Sequence, residues 1–522
     1  VWKSAIGLGV IFGCAFVAAG ASALIARLLR KLMARPGFEP LARAVTGFAL
    51  LALLGVGLAA TLALGSRGAP TSAHEAGSDR GGSAGNVLFI VIDTLRADHL
   101  PAYGYENGQT PHLDRFADDA IRFDQAFTNS SWTRPSFASI LTGRLPSSHG
   151  VMAKSDALPD AVTTLPEALK GKGYATGGYA TNFNVAPYFN FHQGFDDYVF
   201  LEPEFVLGAD DASAKLLLMQ FVRQRIEKLR AARGDVLPGT AYQDAATVNA
   251  AVTSWIDAQA SAPWFLFVGY MDPHDPYFAH PYDGSGYARA AHQHPDASEA
   301  PALTKLYDGE ITYWDAEFGK LLAQLEDRGL YDELTIVVTS DHGEEFNEHG
   351  GFWHGTTLYD EQVRVPLFVK LPESRRGGTV VRHWVQSIDL MPTVLKLSGA
   401  EVPQGVQGGD LFVGTDVVYA EESHEGNVLE SVRHLDGTDE HKLITANQGN
   451  PRGLEPVELY RVDLDPAERE NLAGASPDQV RVATKALLQQ RARAQEDAVA
   501  ADSVALDDDV AAHLEAIGYM ER

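Results

Sequence analysis

Side chains that could bind a metal ion follow three predicted strands directly. NVLFIVI runs into Asp93, LTIVVTS runs into Asp341 and His342, and PWFLFVGYMDP runs into His274. In an open α/β sheet, ligands bind beyond the carboxyl ends of the strands. We therefore expect two carboxylates and two histidines from three separate segments to meet at one edge of the sheet.

Three of these residues, Asp93, Asp341 and His342, form a plausible ligand set for a divalent cation. Asp93 alone could equally be a turn or capping residue, but the adjacent Asp-His pair is less easily explained in that way. An imidazole ligand favours zinc or manganese, without excluding calcium. The single cysteine, Cys14, excludes an internal disulfide and a cysteine-cluster metal site.

A threonine with the potential to act as a nucleophile lies in the stretch SWTRPSFASILTGR. Pro135 suits the first turn of a helix and Gly143 suits its end. Thr133 is then at the helix N-terminus, where the dipole favours a developing anion, and a nearby cation makes its alkoxide accessible. A plain N-cap threonine is the alternative for this residue taken singly.

Two histidines, His349 and His354, follow the Asp-His pair in the loop EEFNEHGGFWHGTTLYDEQ. Such histidines can donate protons or bind anionic oxygens. Each could instead be a solvated loop residue. We assign a functional role to His354, and the argument for His349 is weaker.

The elements that must position these residues are apolar strands alternating with helical patterns from residue 86 onward. The stretch TLPEALKGKGYATGGYA predicts a helix followed by a strand. Two further helix predictions, TVNAAVTSWIDAQ and EITYWDAEFGKLLAQLEDRGL, are followed by the predicted strands PWFLFVGYMD and LTIVVTSD, respectively. This alternation predicts an α/β domain with a mostly parallel sheet. Residues 200–240 are less patterned, with one helix near 211–232, and are interpreted as an insertion or cap.

The N-terminal region contains two uncharged apolar segments, residues 5–26 and 44–65, each long enough to span a membrane. The loop between them has five basic residues and one acidic residue, which places it in the cytoplasm. A cleaved signal peptide would explain the first segment but not the second. We predict a two-helix membrane anchor over residues 1–65 and a catalytic domain outside the cytoplasm, in the periplasm or the extracellular space.

The remaining boundaries follow from changes in composition. Residues 66–85 are rich in Gly, Ser and Ala and predict a flexible linker. Residues 86–414 form the predicted catalytic domain, residues 415–480 a small antiparallel subdomain, and residues 481–522 an acidic helical tail. The net charge of -27 argues against nucleic acid as a partner and favours solubility.

Taken in order, the motifs resemble the sulfatase family of the alkaline phosphatase superfamily over roughly residues 86–475. They include NVLFIVIDTLRADHLPAYGY, TNSSWTRPSFASILTGRLPSSHGV, VGYMDPHDPY, TSDHGE, HGTTLYDEQVRVPLF and ELYRVDLDPAERENLA. The resemblance implies a doubly wound α/β domain with a small C-terminal subdomain. It also implies a metal-assisted ester hydrolase or transferase.

This chain departs from the family pattern at the nucleophile. Sulfatases have Cys or Ser, then x-Pro-x-Arg, and oxidise the first residue to formylglycine. Here Thr133 and Phe137 take the two positions, and oxidation of a threonine would yield a ketone, so no formylglycine is expected. Asn182 and Asn184 lie near the family's Lys and His, and His354 takes the place of a sulfate-binding lysine.

Threonine nucleophiles resemble those of the superfamily's phosphoryl-transfer members, such as lipoteichoic acid synthase, phosphoethanolamine transferases and nucleotide phosphodiesterases. The resemblance implies that a metal-bound threonine attacks phosphorus, and that water or an acceptor alcohol then releases the phospho-threonine. Thr94, Arg96 and Asn129 are weaker candidates near the site. The assigned residues are Thr133, His274 and His354 for catalysis and Asp93, Asp341, His342 and Thr133 for the metal.

The leading hypothesis is a membrane-anchored, extracytoplasmic, metal-dependent hydrolase of a sulfuric or phosphoric ester, with a phosphodiester favoured. A transferase that acts on headgroups of a lipid or an envelope glycopolymer is the first alternative. A sulfatase without formylglycine is another. A catalytically silent binding module is the alternative from a different functional class. The expected partners are an anionic ester substrate and the membrane.

Overall fold

An eight-stranded sheet forms the centre of the described part of the chain in a computed structural model. The structure describes residues 85–203, 242–259, 263–283, 285–289 and 292–504. The predicted membrane segments, most of the linker, the helix near 211–232 and the end of the acidic tail lie outside these residues. Within them, no helix is long and apolar enough to cross a membrane.

The sheet is mostly parallel, as predicted. Its strands in chain order are β1 Val87–Ile92, β2 Ile121–Phe123, β3 Ala175–Ala180, β4 Asp197–Phe200, β5 Trp264–Tyr270, β6 Thr335–Ser340, β7 Leu367–Lys370 and β8 Val380–Val381. Their spatial order is β8-β2-β7-β6-β1-β5-β3-β4. Only β7 runs against its neighbours among these eight strands.

Helices cover both faces of this sheet. The α-helices are α1 Pro111–Asp119, α2 Thr133–Thr142, α3 Pro146–His149, α4 Leu165–Gly171, α5 Ala245–Ala258, α6 Ala300–Asp327, α7 Asp360–Val363, α8 Leu390–Leu397 and α9 Pro477–Gln495. Side chains alternate across a strand, so odd-numbered residues of β1 join the core under α2, α4 and α8. Its even-numbered residues join the core under α1, α5 and α6. Because both faces are buried, the strand is continuously apolar.

A second, antiparallel sheet follows the eight-stranded sheet along the chain, as the turn-rich C-terminal sequence predicted. It is a meander of β9 Val417–His424, β10 Asn427–Asp436, β11 Asp439–Ala446 and β12 Val457–Arg461. Helix α9 packs on it, because Ala483, Leu487 and Ala494 complete the apolar core of the sheet.

The C-terminal segment differs from the predicted surface tail. Helix α9 begins at Pro477, ahead of the expected boundary at 481, and its apolar side belongs to a core. Farther along, Asp502–Ser503 pairs with Asp156–Ala157 of the catalytic region. The acidic residues lie mainly beyond α9, whose own sequence contains one acidic and four basic residues.

Several two-residue strands outside the central sheet pair with one another in the loops of this region. Ala126–Phe127 lies between Arg364–Val365 and Val385–Gln386, Glu345–Phe346 pairs with Phe352–Trp353, and Tyr277–Phe278 pairs with Gly286–Tyr287. Two of these pairs flank the predicted histidines, because Tyr277 lies three residues after His274 and Trp353 directly precedes His354.

Phe116 tests how far the sheet depends on its helical cover. Its buried ring lies edge-on to Phe318 of α6 at 5.4 Å and to Phe368 of β7 at 6.4 Å, between ring centroids. We expect Phe116→Ala to lower the free energy of unfolding by about 3–5 kcal/mol, since it removes buried surface and leaves a cavity. Urea unfolding followed by circular dichroism measures this. Val413→Ala, at a side chain that is 75% exposed, should change stability by less than about 0.5 kcal/mol, and an equally small effect of Phe116→Ala would contradict the prediction.

Candidate active site and metal-binding group

The register of four neighbouring strands brings the site together. Ile92 of β1 lies opposite Ser340 of β6 and Tyr270 of β5, and Ala180 of β3 lies opposite Gly269. The residues that follow these positions therefore emerge side by side at the carboxyl edge of the sheet, where α/β proteins bind ligands.

Asp93, Asp341 and His342 meet at this edge. One ligand atom of each lies within 4.8 Å of the others, and among the described residues no other such group of three is present. His342 Nε2 lies 3.2 Å from Asp341 Oδ2 and 3.6 Å from Asp93 Oδ1. All three side chains are fully buried.

The unmatched oxygens of this group are suited to a cation. Within the described part of the chain, neither Asp93 Oδ1 nor Asp341 Oδ2 has a hydrogen-bond partner. Burying such groups is costly unless a partner compensates. His342 Nδ1 lies 2.9 Å from the carbonyl oxygen of Gly343; as the N–H donor there, it leaves the Nε2 lone pair to face the carboxylates. The donor set therefore fits a divalent metal ion.

The electrostatics of the group agree with this fit. Burial raises the pKa of Asp93 to about 6, partly offset by His274 and the hydrogen bond from Asn182. Burial, together with the charge of Asp93, raises the pKa of Asp341 well above its ordinary value. Burial also lowers the pKa of His342 to about 3, so the imidazole is neutral, as a metal ligand must be. A cation would relieve the repulsion between the two carboxylates.

Thr133 is the first residue of α2, and its side chain faces the metal-binding group. The N-cap is Trp132, whose side chain caps nothing, and the helix ends at Gly143 with a positive φ of 63°. Thr133 Oγ1 lies 3.3 Å from His342 Nε2. The hydroxyl is thus directed at the site, and the alternative of a plain N-cap threonine is wrong.

Asn182, two residues beyond the end of β3, joins the nucleophile to the carboxylates. Its Nδ2 donates to Asp93 Oδ2 at 2.6 Å and lies 3.4 Å from Thr133 Oγ1. Its Oδ1 accepts from the backbone N–H of Asn184 at 2.8 Å, which fixes the amide. The sequence suggested this residue only by its place in the family pattern, although the strand end before it was a usable signal.

Two of the predicted histidines, His274 and His354, lie together beside the metal-binding group. Their ring centroids are 4.9 Å apart, and the centroid of His354 lies 4.5 Å from that of His342. His274 Nδ1 is 2.6 Å from the carbonyl oxygen of Asp275. The structure therefore places all six assigned residues in one buried cluster.

A carboxyl group that the sequence analysis did not single out supports His354. Glu344 Oε1 lies 2.9 Å from His354 Nδ1, and Glu344 Oε2 accepts from the Tyr277 hydroxyl at 2.9 Å. Burial raises the pKa of Glu344 and lowers that of His354, in both cases well beyond the ordinary value. Burial therefore disfavours the charged form of both side chains, and the Glu344 carboxyl group holds His354 through Nδ1.

The weaker candidates have structural contacts. Both ring nitrogens of His349 are occupied, by Glu361 Oε1 at 2.6 Å and the carbonyl oxygen of Glu468 at 3.1 Å. The Arg96 guanidinium donates to Asp98, Glu348 and the carbonyl oxygen of Glu344. The Asn129 amide donates to Gln386 and to the carbonyl oxygen of Tyr419. His349 is largely buried, so it is not the solvated loop residue of the alternative.

Thr94 shows a strained backbone beside the metal-binding group. Its φ is +59°, which is unfavourable for a β-branched residue. The N–H donates to Asp341 Oδ1 at 3.2 Å and the carbonyl accepts from the Tyr307 hydroxyl at 2.6 Å. These two bonds hold the turn, and the N–H orients a predicted metal ligand.

An aromatic ring stands where the family pattern has an arginine. Phe137 is buried against the sheet, with its ring edge-on to Phe267 at 5.9 Å. The neighbouring cation, Arg134, lies over the Phe189 ring at 3.5 Å and donates to Asn184 Oδ1 at 2.8 Å. Helix α2 thus offers a hydroxyl at this point without a guanidinium one turn later.

Comparison with known proteins matches this fold and site. The Sulfatase family profile covers residues 85–400, and a profile described as N-sulphoglucosamine sulphohydrolase, C-terminal, covers residues 347–496. The chain belongs to the sulfatase family. It is a sulfatase-family hydrolase by this membership, and the family resemblance of its motifs is confirmed.

Individual relatives span much of the chain. The Multifunctional alkaline phosphatase superfamily protein PehA of Trinickia caryophylli is 27% identical over 396 residues, covering 63% of this chain and 76% of the relative. The phosphonate monoester hydrolase of Agrobacterium radiobacter superposes with a TM-score of 0.59 and 22% identity, over 78% of this chain and 96% of that one. BT4656, solved with its substrate D-glucosamine-2-N,6-O-disulfate, gives a TM-score of 0.62 and 18% identity, over 80% and 99%. The structural likenesses establish the shared fold.

Metal content tests the metal-binding group directly. We expect Asp341→Ala to lower the bound divalent metal at least about tenfold, because it removes one ligand and leaves Asp93 with an incomplete set. Mass spectrometry of the purified protein after dialysis against zinc, manganese or calcium measures the stoichiometry. Asp257→Ala, which removes an exposed carboxylate paired with Arg328, is the control. Equal metal content in both variants would place the metal elsewhere.

Proposed function

We propose that the protein is a metal-dependent hydrolase of a phosphoric or sulfuric ester, with a phosphodiester as the favoured substrate and Thr133 as the nucleophile. The observation that carries this proposal is the position of the Thr133 hydroxyl. It lies 3.3 Å from His342 Nε2 and 3.4 Å from Asn182 Nδ2, next to two buried carboxylates. A structural threonine would not need this arrangement.

The side chains have separate tasks in the proposed reaction. Asp93, Asp341, His342 and Thr133 would hold the divalent cation. When bound, the cation supplies positive charge that stabilises the threonine alkoxide and the ester oxygens. Asn182 Nδ2 donates a hydrogen bond toward Thr133 Oγ1, which orients the oxygen for attack. The site lies at the N-terminus of α2, whose dipole favours the anion.

The chemical step balances with these groups. A bond forms between Thr133 Oγ1 and the phosphorus of the substrate, and the bond from phosphorus to the leaving alkoxide breaks. The threonine proton passes to solvent water, and the leaving oxygen takes up a proton from water. Water then attacks the phospho-threonine, releases the phosphoryl product and regenerates the hydroxyl.

His274 and His354 face the proposed ester. Because Glu344 holds His354 through Nδ1 and burial disfavours the protonated imidazole, His354 is better suited to donate a hydrogen bond to an ester oxygen than to act as a full acid. Of the two predicted roles for His354, this geometry favours charge stabilisation. His274, held through Nδ1 by the Asp275 carbonyl, lies on the same side.

Phosphorus is favoured over sulfur for two reasons. Threonine gives no formylglycine, and Phe137 provides no guanidinium for a sulfate group. The name of the relative PehA refers to the alkaline phosphatase superfamily, and a structural neighbour is a phosphonate monoester hydrolase. Neighbours with sulfate substrates, such as the glucosamine disulfate of BT4656, keep a sulfate ester as the second candidate.

The proposed cellular setting follows from the apolar segments at residues 5–26 and 44–65. They would anchor the chain in a membrane with the catalytic region outside the cytoplasm. That position favours a headgroup transferase as the alternative function, in which an acceptor alcohol of a lipid or glycopolymer replaces water. A silent binding module is disfavoured, because the nucleophile and the metal-binding group are both intact.

Turnover by Thr133 variants tests the proposed function. We expect Thr133→Ala to reduce kcat on a p-nitrophenyl phosphodiester by about 10³-fold or more, and Thr133→Ser to retain turnover within about tenfold because it keeps a hydroxyl. The assay compares the phosphodiester with p-nitrophenyl phosphate and p-nitrophenyl sulfate, with zinc, manganese or calcium added. Mass spectra of the quenched and digested reaction should show a covalent adduct on the Thr133 peptide.

The other outcomes are equally informative. Turnover of the sulfate alone, lost in Thr133→Ala, would establish a threonine-dependent sulfatase and reject the preference for phosphorus. Full activity of Thr133→Ala would reject the nucleophile. A metal-loaded protein that cleaves none of the three esters would favour the transferase.

A further inference from the structure

A group of partly exposed basic side chains contacts residues that neighbour the buried site in sequence. Lys154 and Arg289, from two remote segments, converge with the adjacent residue His424 on the carboxylate of Glu425. Lys154 Nζ lies 3.0 Å from Glu425 Oε1, and Arg289 Nη2 and His424 Nε2 each lie 3.4 Å from the same oxygen. One carboxylate oxygen thus receives three nitrogen donors.

Several contacts tie this group to the proposed nucleophile. The His424 ring lies against that of Trp132, the residue before Thr133, with centroids 4.6 Å apart. A Cβ on Gly355, the residue after His354, would stand 3.0 Å from His424 Cδ2. His424 therefore contacts the neighbours of both residues.

The backbones of Lys154 and Arg289 also form hydrogen bonds with neighbours of the predicted catalytic residues. Arg134, next to Thr133, donates to the carbonyl oxygen of Lys154. The backbone N–H of Arg289 donates to Asp275 Oδ2 at 3.1 Å, and Asp275 is the residue after His274. Asp275 Oδ1 lies 3.6 Å from His274 Nδ1. Asp275 therefore holds the backbone of Arg289, while the guanidinium is directed to Glu425.

Exposure increases outward from the nucleophile. Thr133 is fully buried, whereas the side chains of Arg289, Lys154 and Glu425 are 14%, 29% and 31% exposed. Burial lowers the pKa of His424 to about 4, so the imidazole is neutral and serves as a hydrogen-bond donor. The group therefore presents two cations and a neutral donor to an incoming molecule.

Glu425 has a strained backbone conformation in this position. It is in the two-residue turn between β9 and β10, and its φ is +51°, followed by Gly426 at +79°. Both central residues of such a hairpin turn require positive φ, and Asn or Gly is preferred there. A glutamate in this position is strained, and observed strain of this kind points to a functional side chain.

We propose that Lys154, Arg289 and His424 form a subsite for a second anionic group on the ester substrate, and that Glu425 fills this subsite until the substrate displaces it. The inference rests on the proposed function and specifies its substrate class. The substrate is an ester whose alcohol part has a further carboxylate, sulfate or phosphate close to the scissile bond. Glu425 then excludes substrates that lack an anion able to replace it.

Matched esters test the subsite in the full-length, metal-loaded protein. The substrates are p-nitrophenyl phosphodiesters whose second alcohol is ethyl, 2-carboxyethyl, 2-sulfoethyl or 2-aminoethyl. We expect kcat/KM for an anionic ester to exceed that for the ethyl ester about tenfold, mainly through KM. The larger of the two gains identifies the carboxylate or the sulfonate as the better ligand.

Substitutions then locate the preference. The ratio of kcat/KM for an anionic ester to kcat/KM for the ethyl ester measures the preference. Lys154→Met and Arg289→Met should each bring this ratio close to one, whereas Lys154→Arg should retain it. Glu425→Gln should raise the ratio further, by about threefold, because a neutral amide competes less with the anion. Lys396→Met, at an exposed lysine that pairs with Asp410, is the matched control and should leave the ratio unchanged.

Two results would overturn the subsite. One is a wild-type ratio near one, and the other is a preference for the aminoethyl ester that Glu425→Gln abolishes, which would make Glu425 a cation-binding residue. Failure of the proposed function is recognised separately, because no ester would then be cleaved in a Thr133-dependent manner.

A binding measurement tests the subsite even if the protein cleaves none of these esters. Calorimetric titration with sodium sulfate, in excess chelator, should show tighter binding to Glu425→Gln than to the wild type. It should show no binding when Lys154→Met is added to Glu425→Gln. Equal affinities in all three proteins would reject the subsite without reference to turnover.

Discussion

The repulsion between two buried carboxylates is the constraint on which the site depends. The parallel pairing of β1 and β6 places Asp93 and Asp341 side by side, away from water and each with an oxygen that no described group satisfies. Two such charges are costly in a protein interior. A divalent cation would remove this cost, and the Nε2 atom of His342 would complete the set of ligands around it. In the proposed reaction, the same cation would activate Thr133. The pairing of β1 and β6 would then determine both the stability of the site and its reactivity.

Helix α2 places the hydroxyl at this point and connects the site to its surroundings. Phe137 anchors the helix on the sheet where an arginine would have provided a charge, and Arg134 reaches back to the loop that contains Lys154. The antiparallel C-terminal sheet takes part as well. Its first hairpin brings the His424 ring against Trp132 and contains Glu425 in its turn. The small sheet therefore contacts the residue before Thr133, and in the proposed subsite the choice of substrate would depend on both sheets.

Much of this was predictable from local patterns. Continuous apolar runs gave the parallel strands, and their polar ends gave Asp93, His274, Asp341 and His342 as one group. Gly143 marked the end of α2 correctly, because only the left-handed region closes the helix there. The contact between Glu344 and His354 was not predicted, because Glu344 entered the sequence analysis only as part of the motif TSDHGE. The helix start was placed at Thr133 correctly, yet whether its hydroxyl capped the helix or faced a metal depended on side chains more than two hundred residues away.

The sequence alone determined which strands are buried on both faces, where each one ends and which ligand types follow it, since these depend on neighbouring residues. Tertiary structure decided which remote side chains meet. Asn182 and Asp93 are 89 positions apart, and Lys154 and Glu425 are 271 apart. The same loop places His354 in the site and directs His349 to Glu361. Such pairings depend on strand order and on the packing of the second sheet, and hydrophobic burial fixes both only when the whole chain is assembled.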